Sequence, residues 1–273
     1  MKSLFTKVLF TALASIGLFS LPAFAATQSV NCDRGQTISK ALESAKGSAD
    51  RLEILVSGTC RENVTIRRNS VSVFGNPAAT IEGTLTVFSS SAAWIEYITL
   101  TGPGNGLLLS GNSDARLRWV QITGNEGHGL VMRRNATVHL ISSAIAGNAG
   151  FGVLLEDSMF QANDSAISGN DTYGIFADLG SKVILVGTEV TDNGAPGVQV
   201  MLHSVVDLRA GTSFHGNEYH ALFAVEDSAI RISDSDVTVG GNIGCADTES
   251  SFSNPGGGLT DSIDCTDFNQ VSP

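Results

Sequence analysis

Gly124-Asn125-Glu126-Gly127-His128-Gly129-Leu130-Val131-Met132 is followed one repeat later by Gly147-Asn148-Ala149-Gly150-Phe151-Gly152-Val153-Leu154-Leu155. The phrase, Gly-Asn, three residues, Gly, then apolar residues at alternate positions, returns at Gly169-Asn170, Asp192-Asn193 and Gly216-Asn217. Its asparagines, 125, 148, 170, 193 and 217, are 23, 22, 23 and 24 residues apart. An earlier unit opens at Gly106-Leu107 and a later one reaches Asn242. A fixed period of this length marks a repeat protein whose units stack on one another.

Three short alternating segments fill each unit. The first places Leu107/Leu109, Leu130/Met132, Val153/Leu155, Ile175/Ala177, Val198/Val200 and Leu222/Ala224 inward. The second gives Leu117/Trp119, Val138/Leu140, Phe160/Ala162, Val183/Leu185, Val206/Leu208 and Ile230/Ile232. The third contributes Ile122, Ile145, Ile167, Val190, Phe214 and Val237. Period-two alternation within segments and a longer period between them specify a parallel β-solenoid with three strands per coil. The expected fold is therefore an all-β, right-handed parallel β-helix. Asn125, Asn148, Asn170, Asn193, Asn217 and Asn242 read as a corner ladder, because asparagine tolerates left-handed dihedrals and its amide can bond the next coil.

Solenoid ends need caps. Thr37 to Ala45 has helical spacing, with Ile38, Ala41, Leu42 and Ala45 on one face, and suits a lid helix. Strands are expected from Leu52. The chain divides into a secretory signal at residues 1–25, an N-terminal cap at 26–51, a β-helix at 52–242 and a C-terminal cap or tail at 243–273. About eight coils at about 4.8 Å each give a length of roughly 40 Å.

The signal is read from Lys2 and Lys7, an apolar run from Val8 to Phe19, and Leu21-Pro22-Ala23-Phe24-Ala25 as the cleavage site. The expected location is periplasmic or secreted, with no membrane insertion. Export makes disulfides the natural state of the four cysteines. Their clustering at opposite ends favours Cys32 with Cys60 and Cys245 with Cys265 among the three pairings. No Cys-x-x-Cys spacing points to zinc, and no motif points to a cofactor. The formal net charge of −11 argues against nucleic acid as a partner.

Through most of its length the chain resembles the pectin-lyase-like right-handed β-helix superfamily. The resemblance rests on Gly35-Gln36-Thr37-Ile38, on Ile54-Leu55-Val56-Ser57-Gly58-Thr59-Cys60-Arg61-Glu62-Asn63-Val64-Thr65-Ile66, and on the later Asn-x-x-x-Gly coils. It implies the fold specifically and leaves activity open among lyases, hydrolases, esterases, epimerases, tailspikes and non-catalytic members. Gly127-His128-Gly129 matches one element of the polygalacturonase site, without the paired aspartates that accompany it there. The acids Glu156, Asp157, Asp178, Glu226 and Asp227 are too scattered for the calcium cluster of a lyase.

Three surface features bear on function. His128, Phe151, Tyr173, Pro196 and His220 each precede the repeat glycine or its equivalent and could form a sugar-stacking column or a packed turn. Arg116, Arg118, His139, Arg133 and Arg134 concentrate positive charge in an acidic protein. If Arg118 and His139 face each other one coil apart, arginine would hold a sugar carboxylate and His139 would take the proton α to it, giving β-elimination. Arg116 would share the carboxylate, with Arg133 and Arg134 as accessory contacts. Finally, Leu108, Val131, Leu154, Phe176 and Phe223 form an apolar outward strip, expected to be covered by the C-terminal tail or a protein partner. Two functions stay open: recognition, with or without cleavage, of an acidic polysaccharide, and a non-catalytic structural or interaction solenoid.

Overall fold

The structure, a computed structural model, describes residues 26–46, 51–68, 70–245 and 250–254. The expected signal, Cys265 and most of the expected tail lie outside the described residues.

Nine first-segment strands, from Val64–Ile66 to Ile243–Cys245, form one parallel ladder. Their register follows the repeat: Leu107, Leu130, Val153, Ile175, Val198 and Leu222 are successive partners. Second and third segments form two further ladders, merged into a 17-stranded sheet by strands that turn the corner between them. All pairings are parallel, and the inward side chains of the three ladders form one core along the solenoid axis. Full burial of a Leu, Ile or Phe side chain contributes about 2 kcal/mol, and every coil supplies several.

The corner asparagines form the expected ladder. Nδ2 of Asn125, Asn148, Asn170 and Asn193 donates to Oδ1 of the next coil's asparagine at 2.7, 2.9, 2.9 and 2.8 Å. The backbone N–H of each donates to that same oxygen. The amides also serve strand-end carbonyls, as from Asn148 to Ile122. Asn242 is exposed, and its backbone carbonyl accepts from Ala221.

Two serine columns do the same work at the other corners. Ser158, Ser181, Ser204, Ser228 and Ser250 are buried, and each hydroxyl accepts the backbone N–H of the preceding coil, beginning with Ala136. Ser143 and Ser165 accept from Val120 and Ser143. The signal was present in the sequence as serines 23, 23, 24 and 22 residues apart from Ser158 to Ser250.

Before Asn105 the construction differs. Leu52–Cys60, Val71–Glu82 and Ala92–Gly102 run from the second ladder into the third as single strands of 9, 12 and 11 residues, with register shifts at Val56/Gly58 and Phe74/Ala79. The ladders also reach beyond residues 52–242. Ala26–Asn31 pairs in register with Leu52 onward, and Ile243–Cys245 and Ser251–Ser253 continue the far end. The strands therefore start well before Leu52, and coils number nine on the first face rather than eight.

The cap helix spans Ile38–Ser44 and buries Ile38, Ala41 and Leu42. Thr37 caps its first turn, and the Glu62 carboxylate accepts from Ile38 N at 2.6 Å and Ser39 N at 3.1 Å. An anion there satisfies otherwise unpaired helix donors. Cys32 and Cys60 are disulfide-bonded, tying cap to first coil as the spacing predicted.

Candidate functional site

Outward positions of the second ladder align as Ser72, Trp94, Arg116, His139 and Gln161 in successive coils. A parallel column runs Phe74, Glu96, Arg118 and Ile141. His139 is therefore the neighbour of Arg116, and the expected Arg118–His139 juxtaposition is wrong by two residues. The cause is Trp119. Reading it as a core residue set the inward pair as Leu117/Trp119, whereas the buried pair is Ala115/Leu117, 23 residues before Val138/Leu140. Trp119 instead occupies a left-handed corner at φ 53° and is 36% exposed. At the far end Val237 is buried as expected, while Val239 stands opposite Phe214 in register.

Arg118 is held beside that corner. Its guanidinium carbon lies 3.7 Å from the Trp119 ring centroid, and Nη1 is 3.9 Å from Glu96 Oε1. Trp119 stacks on Tyr97 of the previous coil at 4.7 Å. Glu96 Oε1 also accepts the indole N–H of Trp94 at 2.8 Å, fixing that ring. Arg51 lies 5.5 Å from the Trp94 centroid, and its Nε and Nη2 donate to Ser72 Oγ at 3.3 and 3.0 Å. Trp94, Tyr97 and Trp119 are three of the five large hydrophobic residues exposed among the described residues, and they sit on two adjacent coils with three arginines around them. The patch contains a depression of about 280 Å³ lined by Arg51, Ser70, Ser72, Ala92, Trp94, Asp114 and Arg116 among others. Trp94 and Arg51 had not stood out in the sequence, since the residues before Gly106 lack the Gly-Asn phrase that orients the rest; Asp114 had not stood out either.

The structure separates the other predicted residues from this patch. Arg133 ends a first-ladder strand, where its guanidinium pairs with both oxygens of Glu156 at 3.0 and 3.2 Å. Arg134 is exposed at the corner that follows, at φ 57°. His128 belongs to the first face: its ring stacks on Phe151 at 4.7 Å and its Nδ1 accepts the Phe151 backbone N–H at 3.0 Å. Burial, and then the nearby Arg133 charge, hold the His128 pKa below its usual value. His128 and Tyr173 thus belong to a packed turn column, with Phe151 and Tyr173 both meeting Phe176.

That column also changes the reading of the apolar strip. Leu108, Val131, Leu154, Phe176 and Phe223 are in one register line through Gln199. Val131 and Leu154 are only 2% and 7% exposed, and rings from the preceding turns lie on Phe176 and Phe223. Among the described residues, the rings of the turn column thus cover part of this strip. Among the described residues, the one group of three potential metal ligands brought together is Cys32, Cys60 and Glu62, and the disulfide occupies both sulfurs. No described helix is long and apolar enough to cross a membrane.

No curated protein sequence matches the chain. Among solved structures it is similar to the pectate lyase Pel9A, at 9% identity and a TM-score of 0.58, covering 87% of this chain and 83% of that one. It is similar also to ORF18 of Geobacillus virus E2, at 12% identity and a TM-score of 0.55, covering 84% of this chain and 58% of that one. At these identities the likeness extends to the fold alone. The family model described as right handed beta helix region matches residues 105–255, which is 151 of 273 residues. This match, with the parallel ladders and their repeat, makes the chain a member of the right handed beta helix region family.

Proposed function

We propose that this protein is exported and recognises an acidic polysaccharide through the outward face of its second ladder, around Trp94, Arg116 and His139. The observation that carries the reading is the concentration of exposed aromatic rings and arginines on adjacent coils of a protein with net charge −11. Aromatic faces suit the apolar faces of sugar rings, and guanidinium forks suit their carboxylates or sulfates. Successive outward residues stand about 4.8 Å apart, so a linear polymer can engage several coils at once. Pectate cleavage by Pel9A adds a precedent on the same fold, though not a shared site.

Cleavage is a second reading, favoured by the register that places Arg116 beside His139. Arg116 would neutralise a carboxylate while His139 accepts the α-proton; the carbon–carbon double bond forms as the β C–O glycosidic bond breaks, and water protonates the departing oxygen. The test is one experiment with two readouts: binding to acidic and neutral polysaccharides, and release of unsaturated uronate, for wild type, Arg116→Ala and His139→Ala. Recognition requires at least tenfold weaker binding of acidic polymer by Arg116→Ala. Equal binding by wild type and Arg116→Ala, or no binding at all, would favour a purely structural solenoid. Product from wild type that disappears in His139→Ala would establish the lyase, and product that persists would exclude this mechanism.

A further inference from the structure

The depression beside Trp94 is more specific than the face that contains it. Its floor is made of small side chains, Ser70, Ser72 and Ala92, between tall neighbours Arg51, Trp94 and Arg116. A solenoid face is otherwise level, because strand spacing is constant, so a hollow arises only where small residues stack in consecutive coils. At about 280 Å³ it stands at the small end of ligand sites and suits one sugar ring rather than a polymer segment.

Its polar groups are partly spent and partly open. Arg51 uses Nε and Nη2 on buried Ser72, which fixes the guanidinium plane while leaving Nη1 to an anion. Trp94 is oriented by its N–H bond to Glu96 and by Phe74, edge-on at 6.5 Å. Arg116 and Asp114 line the same hollow, and neither side chain has a hydrogen-bond or ion-pair partner among the described residues. Two guanidinium groups attract a carboxylate. A carboxylate on the same wall repels a bare anion but accepts hydroxyl protons.

We propose that this hollow is a socket for a single carboxylated sugar ring, at a chain end or side branch. Arg51 and Arg116 take the carboxylate, Trp94 the ring, and Asp114 the hydroxyls. The inference rests on the recognition reading above and assigns Asp114 the choice of a sugar acid over an inorganic anion.

Calorimetry and ligand-observed NMR on the full mature chain test it, with glucuronate, galacturonate, glucose, galactose and sodium sulfate as probes. At least one hexuronate is expected to bind at least tenfold more tightly than the neutral hexoses and sulfate. Arg116→Gln should abolish the preference over neutral hexose. Asp114→Asn should weaken hexuronate and strengthen sulfate, reversing their ratio by tenfold or more. Arg231→Ala, a surface cation further along the same ladder, should change nothing, and thermal melts show whether each variant is folded. Hexuronate and sulfate binding equally, or a folded Asp114→Asn with the wild-type ratio, overturns the socket. Acidic polymer binding without any hexuronate binding overturns the socket while leaving recognition intact; absence of both overturns the two together.

Discussion

The coils after Asn105 and the coils before it solve the same problem in different ways. After Asn105, strands of two to five residues meet at sharp corners, where buried asparagine and serine side chains bond from coil to coil. Before it, long strands bend through one corner, the asparagine ladder has not begun, and a disulfide and capping helix hold the end. The exposed aromatic and arginine cluster lies mainly in this less regular part and at its border. Regularity fills corners with residues that must face inward and be satisfied, whereas a site needs side chains free to differ from one coil to the next. The family match begins at residue 105, so it covers the half that carries the repeat and omits most of the half that carries the cluster.

The sharpest way to break this contrast is in the ladder. Asn170→Ala removes the acceptor for Asn148 Nδ2 and N and the donor to Asn193 and Ile145. With several buried groups orphaned, the expected loss is about 3–5 kcal/mol by urea unfolding. A loss under about 1 kcal/mol would mean the ladder is ornamental.

The disulfide should act on the other half. Replacing Cys32 and Cys60 with serine opens a 28-residue separation, at an expected cost of about 3 kcal/mol. Hydrogen exchange should rise in the coils before Asn105 and stay unchanged around Asn170. Uniform acceleration along the chain would show that the two halves unfold as one unit.

At the site, Trp94→Ala should weaken acidic polysaccharide by tenfold or more, about 1.4 kcal/mol. Its folding stability should change by less than Asn170→Ala does. Unaltered affinity would detach the aromatic cluster from function.

The smallest effect is a pH dependence in the regular half. Folding depresses the pKa of His128, so between its folded and unfolded pKa values the unfolded chain binds more protons. Stability contributed by neutral His128 is present above the unfolded value of about 6.5 and declines as pH falls below it. His220, depressed by burial, adds in the same direction. An NMR titration placing His128 at or above about 6.5 would contradict the packed turn.

The regular half was legible because its phrase combines two independent signals, the Gly-Asn corner and alternation of apolar residues. The inward residues from Leu130 to Ile232 followed from it. The serine columns had the same period but no recurring Gly-Asn phrase beside them. Trp119 misled because size suggests a core residue, while the small Ala115 actually faces inward. That error moved His139 from Arg116 to Arg118. The cluster at Trp94 and Arg51 was hidden for a physical reason as well: outward side chains obey no packing constraint, so sequence spacing says which coil they occupy but not what they meet.

The asparagine ladder also gives the solenoid an electrical direction. Backbone amides in a sheet largely cancel, because their dipoles alternate. The side-chain amides of the ladder do not, since every Oδ1 from Asn148 to Asn217 faces the previous coil and accepts from its Nδ2. At the first member the series ends on Asn125 Oδ1, which is buried without a protein partner. Aligned amide dipoles sum as they do in a helix, leaving partial negative charge at that end. The negative pole is directed toward the coils that carry Arg51, Arg116 and Arg118, so the scaffold that keeps the corners closed also sets a polarity along the rod, favouring cations at the end where they are found.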